Sequence, residues 1–484
     1  MLLRELLKGA PYTAFDGDDS LDIAEICFDS RLVKPGFAFA AVKGVKADGH
    51  DYIPAAVEAG ASLIIAKYAV PGTPTVVTDD PEATLAAMTA NFYGNPAKDM
   101  TFVGITGTKG KTSTAFFVKT ILDTRPGVKC GLIGTVCNMA GDENLGESHN
   151  TTPTVTELHA LLAQMRDRGC THVVMEVSSH ALALGRLDGI RFAVGVFTNL
   201  SQDHLDFHGT MENYLAAKCR LFSMADAGAV NIDDPDSEVV RNTARCPMRT
   251  YSMWPEKHAD ITALDVVQRE ADGVDFTVSL TNGEKYPISF PVPGLFSVYN
   301  ALAALSAARA LGVPMDEAVR ALARTKGVPG RAETVKVDAD FRVIVDYAHS
   351  PDSVEKIVST VAGFTVGRVI SVLGCGGNRD RTKRPKMAAA AAAGSDYVIL
   401  TSDNPRFEEP EDILAEMLPG VEHGDTPYRV IVDRRAAIRA ALDMARARDT
   451  VLIMGKGHEP YQEVRGVKHH FDDREEVRAY FAKA

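Results

Sequence analysis

The chain has no Cys-x-x-Cys pair, no apolar run long enough for a bilayer and no surplus of basic residues. Each absence closes a class of function. The seven cysteines, at 27, 130, 137, 170, 219, 246 and 375, are scattered and odd in number. Neither a disulfide framework nor a zinc knuckle is expected, and reduced thiols of a cytosolic protein are. A membrane helix needs about 20 mostly apolar residues, so no membrane partner is expected. The opening MLLRELLKGA carries charges and no cleavage pattern, unlike a secretory leader, and the expected location is cytoplasmic. With 64 acidic against 52 basic side chains the net charge is -12, which argues against nucleic acid as a partner.

What remains is an ordinary globular composition, 45% apolar and 24% charged over 484 residues, enough for about three domains. From residue 98 onward, runs such as TFVGIT, THVVMEV, AVGVFTNL and GAVNID alternate with helical patterns, which predicts a parallel α/β sheet. DVVQREADGVDFTVSL and KYPISFPV read as antiparallel strands, followed by helices over 300–311 and 316–324. After the breaker Lys326-Gly-Val-Pro-Gly330 a second α/β series begins with FRVIVDYAHS, GRVISVLGCGG, DYVILTSDN, YRVIVD and TVLIMGKGHE. The expected organisation is an α/β protein of three domains. These are a small N-terminal α/β domain (1–97), a central P-loop-type parallel-sheet domain (98–329) and a C-terminal Rossmann-like domain (330–484).

TFVGITGTKGKTSTAFFVKTIL reads as strand, glycine-rich turn and helix. Gly104, Gly107 and Gly110 permit positive φ and close backbone approach, and the helix start favours an anion. In the loop Gly107-Thr108-Lys109-Gly110-Lys111-Thr112-Ser113, Lys111 is expected at the β- and γ-phosphates of ATP and Thr112 at Mg²⁺. Ile105 stands where the usual pattern has glycine, so the loop is a variant.

Further residues bear on what such a loop serves. Glu176 ends the strand THVVME, where open α/β sheets place ligands, and a carboxylate there suits Mg²⁺. Asp203, His204, Asp206 and His208 cluster in a loop that could hold metal, cap the next helix or be solvated. Lys218 shares a helical face with Tyr214, Leu221 and Phe222. Either it snorkels to water, or burial leaves a neutral amine able to become a carbamate.

The loop, Glu-Val-Ser-Ser-His, Asp-His-Leu-Asp and the helical lysine stand in the order and spacing of the Mur ligases, and the resemblance covers nearly the whole chain. It implies an ATP-dependent amide-bond former of peptidoglycan synthesis, similar to the members that add meso-2,6-diaminopimelate to UDP-N-acetylmuramoyl-L-Ala-D-Glu. It implies two Mg²⁺ ions, held by Thr112 and Glu176 and by His204 with Lys218 as a CO₂-derived carbamate. Ser30 in Asp-Ser-Arg, with Val45, Lys46 and Ala47, resembles the uridine diphosphate end of the substrate site. Asn150, Thr151, Thr152, Ser178 and Arg186 fall where the family meets the sugar-peptide, and Leu184 departs from a common glutamine. Thr154 and Glu157 also form a helix capping box.

Asn300, Arg331, Asp346 and His349 look like nucleotide contacts, while Ser350-Pro351 also reads as a helix start. Arg379, Asp403-Asn404-Pro405-Arg406, Gly455 and Glu459 resemble the diaminopimelate pocket. There a guanidinium can grip the extra carboxylate that lysine lacks. A lysine-adding enzyme, a folylpolyglutamate synthase or a P-loop NTPase coupled to partner binding are the alternatives, and a monomer is expected.

Overall fold

The computed structural model describes residues 1–44, 47–146 and 150–482. By contact density the chain divides into two compact units, Met1–Thr262 with Ser279–Glu284 and Tyr299–Ala321, and Ala263–Val278 with Lys285–Val298 and Leu322–Ala484.

The first unit holds two sheets. The smaller runs Ala14–Asp16, Thr75–Val77, Leu63–Ala66, Phe37–Ala40, Glu25–Cys27, with only the first pair antiparallel. Its strand LIIA is buried at every position, as a parallel strand covered on both faces must be. Helix Pro81–Phe92 covers one face; Pro81 fits its first turn and Asp80 accepts from the Ala83 amide.

In the larger sheet seven strands lie parallel in the order Ile261–Gln268, Met248–Ser252, Ala225–Asn231, Phe192–Phe197, Thr101–Thr106, His172–Glu176, Cys130–Ile133. Antiparallel Asn138–Ala140 and Glu143–Gly146 extend the edge. Helix Lys111–Asp123 buries Ala115, Phe117, Val118, Ile121 and Leu122. The expected capping box at Val155–Asp167 is present, with Thr154 N donating to Glu157 Oε2 at 3.0 Å.

Two expectations are corrected. Gly104 is not a turn residue: it sits inside Thr101–Thr106, where a Cβ would come within 2.8 Å of the Phe192 ring. Its role is close packing, and Ile105 beside it is wholly buried, which accounts for the departure from the usual loop pattern. Thr198–Leu200, expected to continue a strand, leave it after Phe197.

In the second unit the sheet runs Glu333–Val335, Arg342–Asp346, Thr450–Met454, Val369–Leu373, Tyr397–Leu400, Tyr428–Val430, antiparallel only at the first pair. Helix Pro351–Phe364 begins at Ser350, whose amide donates to Ser353 Oγ at 3.0 Å. The hairpin Tyr461–Val464 and Val467–His470 stands apart from this sheet. All seven cysteines are free, and among the described residues no helix is long and apolar enough to cross a membrane.

One ion pair braces this unit from within. Arg434 and Asp473 are both 0% exposed, and the guanidinium donates twice to the carboxylate at 2.7 Å. It also donates to the carbonyls of Ser402 and Met454, just beyond and at the ends of their strands. Removing one partner strands a buried charge. Asp473→Ala is therefore expected to cost about 3–5 kcal/mol, whereas an Arg434→Met, Asp473→Leu double variant recovers most of it; urea unfolding measures both.

Candidate functional site

In the first unit the sheet delivers its chemistry at the carboxyl ends of its strands, as open α/β sheets do. Thr101–Thr106 ends in the turn 107–110 before helix Lys111–Asp123. Gly107 (φ +144°) and Gly110 (φ +82°) take conformations that L side chains rarely adopt. They are also crowded: a Cβ would lie 1.9 Å from Thr198 Oγ1 at Gly107 and 2.3 Å from Asn300 Oδ1 at Gly110. The residues that left the neighbouring strand hold the turn. Thr198 Oγ1 donates to Lys109 O at 2.7 Å, Thr108 N to Asn199 O at 2.8 Å and Lys109 N to Asn199 Oδ1 at 2.9 Å. Lys111 folds back onto the carbonyls of Gly107 and Thr108 at 2.9 and 3.0 Å.

The Glu176 carboxylate is 1% exposed. Thr112 Oγ1 donates to its Oε2 at 3.0 Å, Thr135 N to its Oε1 at 2.7 Å and Thr135 Oγ1 to its Oε2 at 3.2 Å. Thr151 meets Thr135 hydroxyl to hydroxyl at 3.1 Å. Thr152 Oγ1 donates to the Glu176 carbonyl at 2.8 Å and accepts from Ser178 N at 2.9 Å, and Arg186 donates to Thr152 O at 3.2 Å. Ser178 Oγ caps the helix Ser179–Ala183. Thr151, Thr152, Ser178 and Arg186 thus gather around the strand end that carries Glu176, and Asn150 stands exposed at its approach.

Lys218 is 1% exposed, so the snorkelling alternative is closed. Its ammonium lies 4.2 Å from the Tyr214 ring centre, and burial, with Lys111 nearby, lowers its pKa well below the ordinary lysine value. Tyr214 meets Thr108 of the glycine turn hydroxyl to hydroxyl at 3.2 Å. His204 is half-exposed, and partial desolvation together with Lys111 and Lys218 lowers its pKa. Burial would raise Asp203, yet His204 and Lys109 hold it below its usual value.

Metal binding, capping and solvation were open for Asp203, His204, Asp206 and His208; the four side chains do not converge on one point. Leu205–His208 forms a short helix that turns His208 inward, where its Nε2 meets Ser179 Oγ at 2.9 Å, while Asp206 faces solvent. His180 joins the aromatic packing, 4.8 Å from His204, and burial lowers its pKa to about 4. Among the described residues no group of three or more His, Cys, Asp and Glu side chains is placed to hold a metal ion. What the site offers a hard cation is the hydroxyl and carboxylate oxygens of Thr112 and Glu176, with a buried amine nearby. That donor chemistry fits Mg²⁺.

The second unit carries a separate constellation. Asp403 and Asn404 are buried just past Tyr397–Leu400, and Asn404 Nδ2 donates to Glu459 Oε2 at 2.7 Å. Arg406 (φ +54°) donates through Nε to Glu463 Oε2 at 3.1 Å and through Nη1 to Gly377 O at 2.9 Å. A Cβ at Gly455 would lie 2.3 Å from Asp403 Oδ2, so only glycine fits there. Pro405 closes this turn, and Arg379 is exposed nearby. Asp346 accepts from the amides of Ala332 and Ala348 at 2.7 and 2.8 Å, a backbone-bracing role beside any ligand contact. Arg331 stacks over Tyr347 at 4.7 Å, and His349 Nδ1 meets Tyr347 O at 2.7 Å.

In the N-terminal sheet region Ser30 begins a short helical turn capped by Asp29, and Ala47 O accepts from Gly44 N at 2.9 Å. Val45 and Lys46 lie outside the described residues. Thr135, Tyr347, Lys456 and Glu463 went unremarked in the sequence. Only Lys456, a lysine two residues past the apolar strand TVLIM, carried a visible signal.

The Mur ligase middle domain model matches residues 105–308, the Mur ligase glutamate ligase domain 330–457 and the Mur ligase family catalytic domain 22–93. Two curated relatives are each named UDP-N-acetylmuramoyl-L-alanyl-D-glutamate–2,6-diaminopimelate ligase. That of Caldanaerobacter subterraneus is 42% identical over 488 residues, covering 100% of both chains. That of Syntrophomonas wolfei is 44% identical over 483 residues, covering 98% of each. A solved structure of an enzyme of that name superposes with a TM-score of 0.71 at 32% identity, covering 100% of this chain and 99% of its own. The chain belongs to the Mur ligase family.

Proposed function

We propose that this chain is an ATP-dependent ligase that joins meso-2,6-diaminopimelate to the D-glutamate γ-carboxylate of UDP-N-acetylmuramoyl-L-Ala-D-Glu, in peptidoglycan synthesis. The observation that carries the reading is the second-unit set Asp403, Asn404, Arg406 and Glu459 on the loops past two strands, with Asn404 bonded to Glu459 and Arg406 linked to Asn404 through Glu463. The relatives' shared name at 42 and 44% identity supports it. A three-domain division at 1–97, 98–329 and 330–484 would give each substrate its own module.

In this reading the amides of the 107–110 turn, Lys111, Thr112 and Ser113 receive the ATP phosphates, with Lys111 exchanging the Gly107 and Thr108 carbonyls for phosphate oxygens. Asn300, Arg331, Asp346 and His349 belong to the nucleotide end. Ser30, Val45, Lys46, Ala47, Asn150, Thr151, Thr152, Ser178 and Arg186 receive the UDP-linked dipeptide. A γ-carboxylate oxygen attacks the γ-phosphorus, a P–O bond forms, and the bond to the ADP oxygen breaks. The diaminopimelate amine then attacks the acyl carbon, phosphate leaves, and the amine proton passes to solvent.

Mg²⁺, when bound, neutralises charge on the phosphates during transfer. Thr112 and Glu176 would hold one ion, and His204 with a carbamate on Lys218 the other. A neutral buried amine is the form that adds to CO₂, losing a proton as the carbamate forms. Arg406 would bind the distal carboxylate and Arg379 the amino-acid end, with Gly455 and Glu459 completing the pocket.

Three measurements check this. Incubation with the UDP-dipeptide, ATP and equal meso-diaminopimelate and lysine should give one new mass, that of the diaminopimelate product; a lysine product or none sinks the assignment. Lys218→Ala should lose roughly a hundredfold in kcat or more, with partial rescue by acetate. It should also lack the ¹³C-carbamate resonance that the parent enzyme acquires from labelled bicarbonate. Arg406→Ala should weaken use of diaminopimelate by about 2–5 kcal/mol in kcat/KM, leaving the KM for ATP unchanged.

A further inference from the structure

Lys456 is wholly buried, two residues past the strand Thr450–Met454. Its ammonium donates to Asn404 Oδ1 at 3.1 Å and to Glu459 Oε2 at 3.2 Å. Asn404, 2% exposed, has its amide fully assigned: Oδ1 accepts from Lys456 and from the Glu463 amide at 2.9 Å, while Nδ2 donates to Glu459 Oε2 at 2.7 Å. A flipped amide would set its NH₂ against an ammonium and a backbone N–H, so Lys456 and the Glu463 amide together fix the orientation. Two donors thereby converge on Glu459 Oε2. Oε1 is left with the Tyr347 hydroxyl at 3.4 Å, the long end of the hydrogen-bond range.

Resting on the ligase reading above, we propose that Lys456 is a positioning residue for amino-acid selection. It locks Asn404 and turns Glu459 so that Oε1 receives the ammonium at the distal end of the diamino diacid. A buried carboxylate with one saturated and one under-used oxygen is suited to a single further donor. The hydrogen bonds this ammonium makes among the described residues run to Asn404 and Glu459.

The charge matters as well as the geometry. Asp403, Lys456, Tyr347 and the buried Arg434 all act on or near Glu459. Burial pushes its carboxyl up, Lys456 opposes that, and Asp403 adds to it. Removing the ammonium raises the carboxyl further. Ammonium binding, which needs the ionised form, is then lost at a higher pH as pH falls.

The test is steady-state product formation by the full chain with UDP-dipeptide and ATP, varying meso-diaminopimelate between about pH 5.5 and 9. In Lys456→Met and Lys456→Gln the KM for diaminopimelate should rise about tenfold or more, the size of one lost charge-assisted hydrogen bond. The KM values for ATP and UDP-dipeptide should stay put, and the acid limb of kcat/KM for diaminopimelate should move to higher pH. Lys456→Arg, which keeps the charge, should return the limb toward the parent position. An unchanged diaminopimelate KM and limb, a parallel rise in all three KM values, or failure of both neutral variants to fold overturns the inference. Those outcomes leave the ligase reading intact if the parent enzyme makes the diaminopimelate product; a parent enzyme that makes none removes both.

Discussion

A buried carboxylate, that of Glu176, ties the first unit's site together. Such a group is tolerated only when its oxygens are satisfied. Here Thr112 on the helix after the glycine turn and Thr135 beyond Cys130–Ile133 supply the donors, while Thr152 satisfies the same residue's carbonyl. One acid therefore fixes the mutual placement of three chain segments. An alanine there would leave those hydroxyls and an amide without their acceptor.

The neighbouring turn obeys a different constraint, that of space. Gly107 and Gly110 bring backbone against Thr198 and Asn300 so closely that no side chain fits. The strand that should have continued through Thr198–Leu200 stops at Phe197 to supply the clamp. Shortening a strand by a few residues costs ladder hydrogen bonds, but Asn199 and Thr198 recover them against the turn. Lys218 completes the arrangement through Tyr214, whose ring lies beside the amine and whose hydroxyl meets Thr108.

In the second unit charge is organised around buried cations. Arg434 pairs with Asp473 and holds the carbonyls of Ser402 and Met454, so the segments that lead to Asp403 and to Lys456 are both braced. Lys456 makes the corresponding bonds to Asn404 and Glu459. A rigid setting of this kind lowers the ordering that a small zwitterionic ligand would otherwise have to impose.

The order of elements was legible in the sequence because short, continuously apolar, β-branched runs such as TFVGIT, VISVL and TVLIM alternate with helical patterns, as buried parallel strands do. Helix starts at Thr154 and Ser350 were legible because capping is local chemistry. Lys111, Thr112, Glu176 and Lys218 were legible because each stood against its background, on a glycine turn, a strand end or an apolar face. Tertiary structure alone decided that Gly104 packs rather than turns, that His208 faces Ser179, and that Lys456 orients Asn404 and Glu459. The reason is common to all three. Each outcome depends on a partner 29 to 88 positions away in the chain (Glu459, three residues from Lys456, is the local exception), and no local pattern of period or spacing encodes which long-range neighbour a buried group will meet.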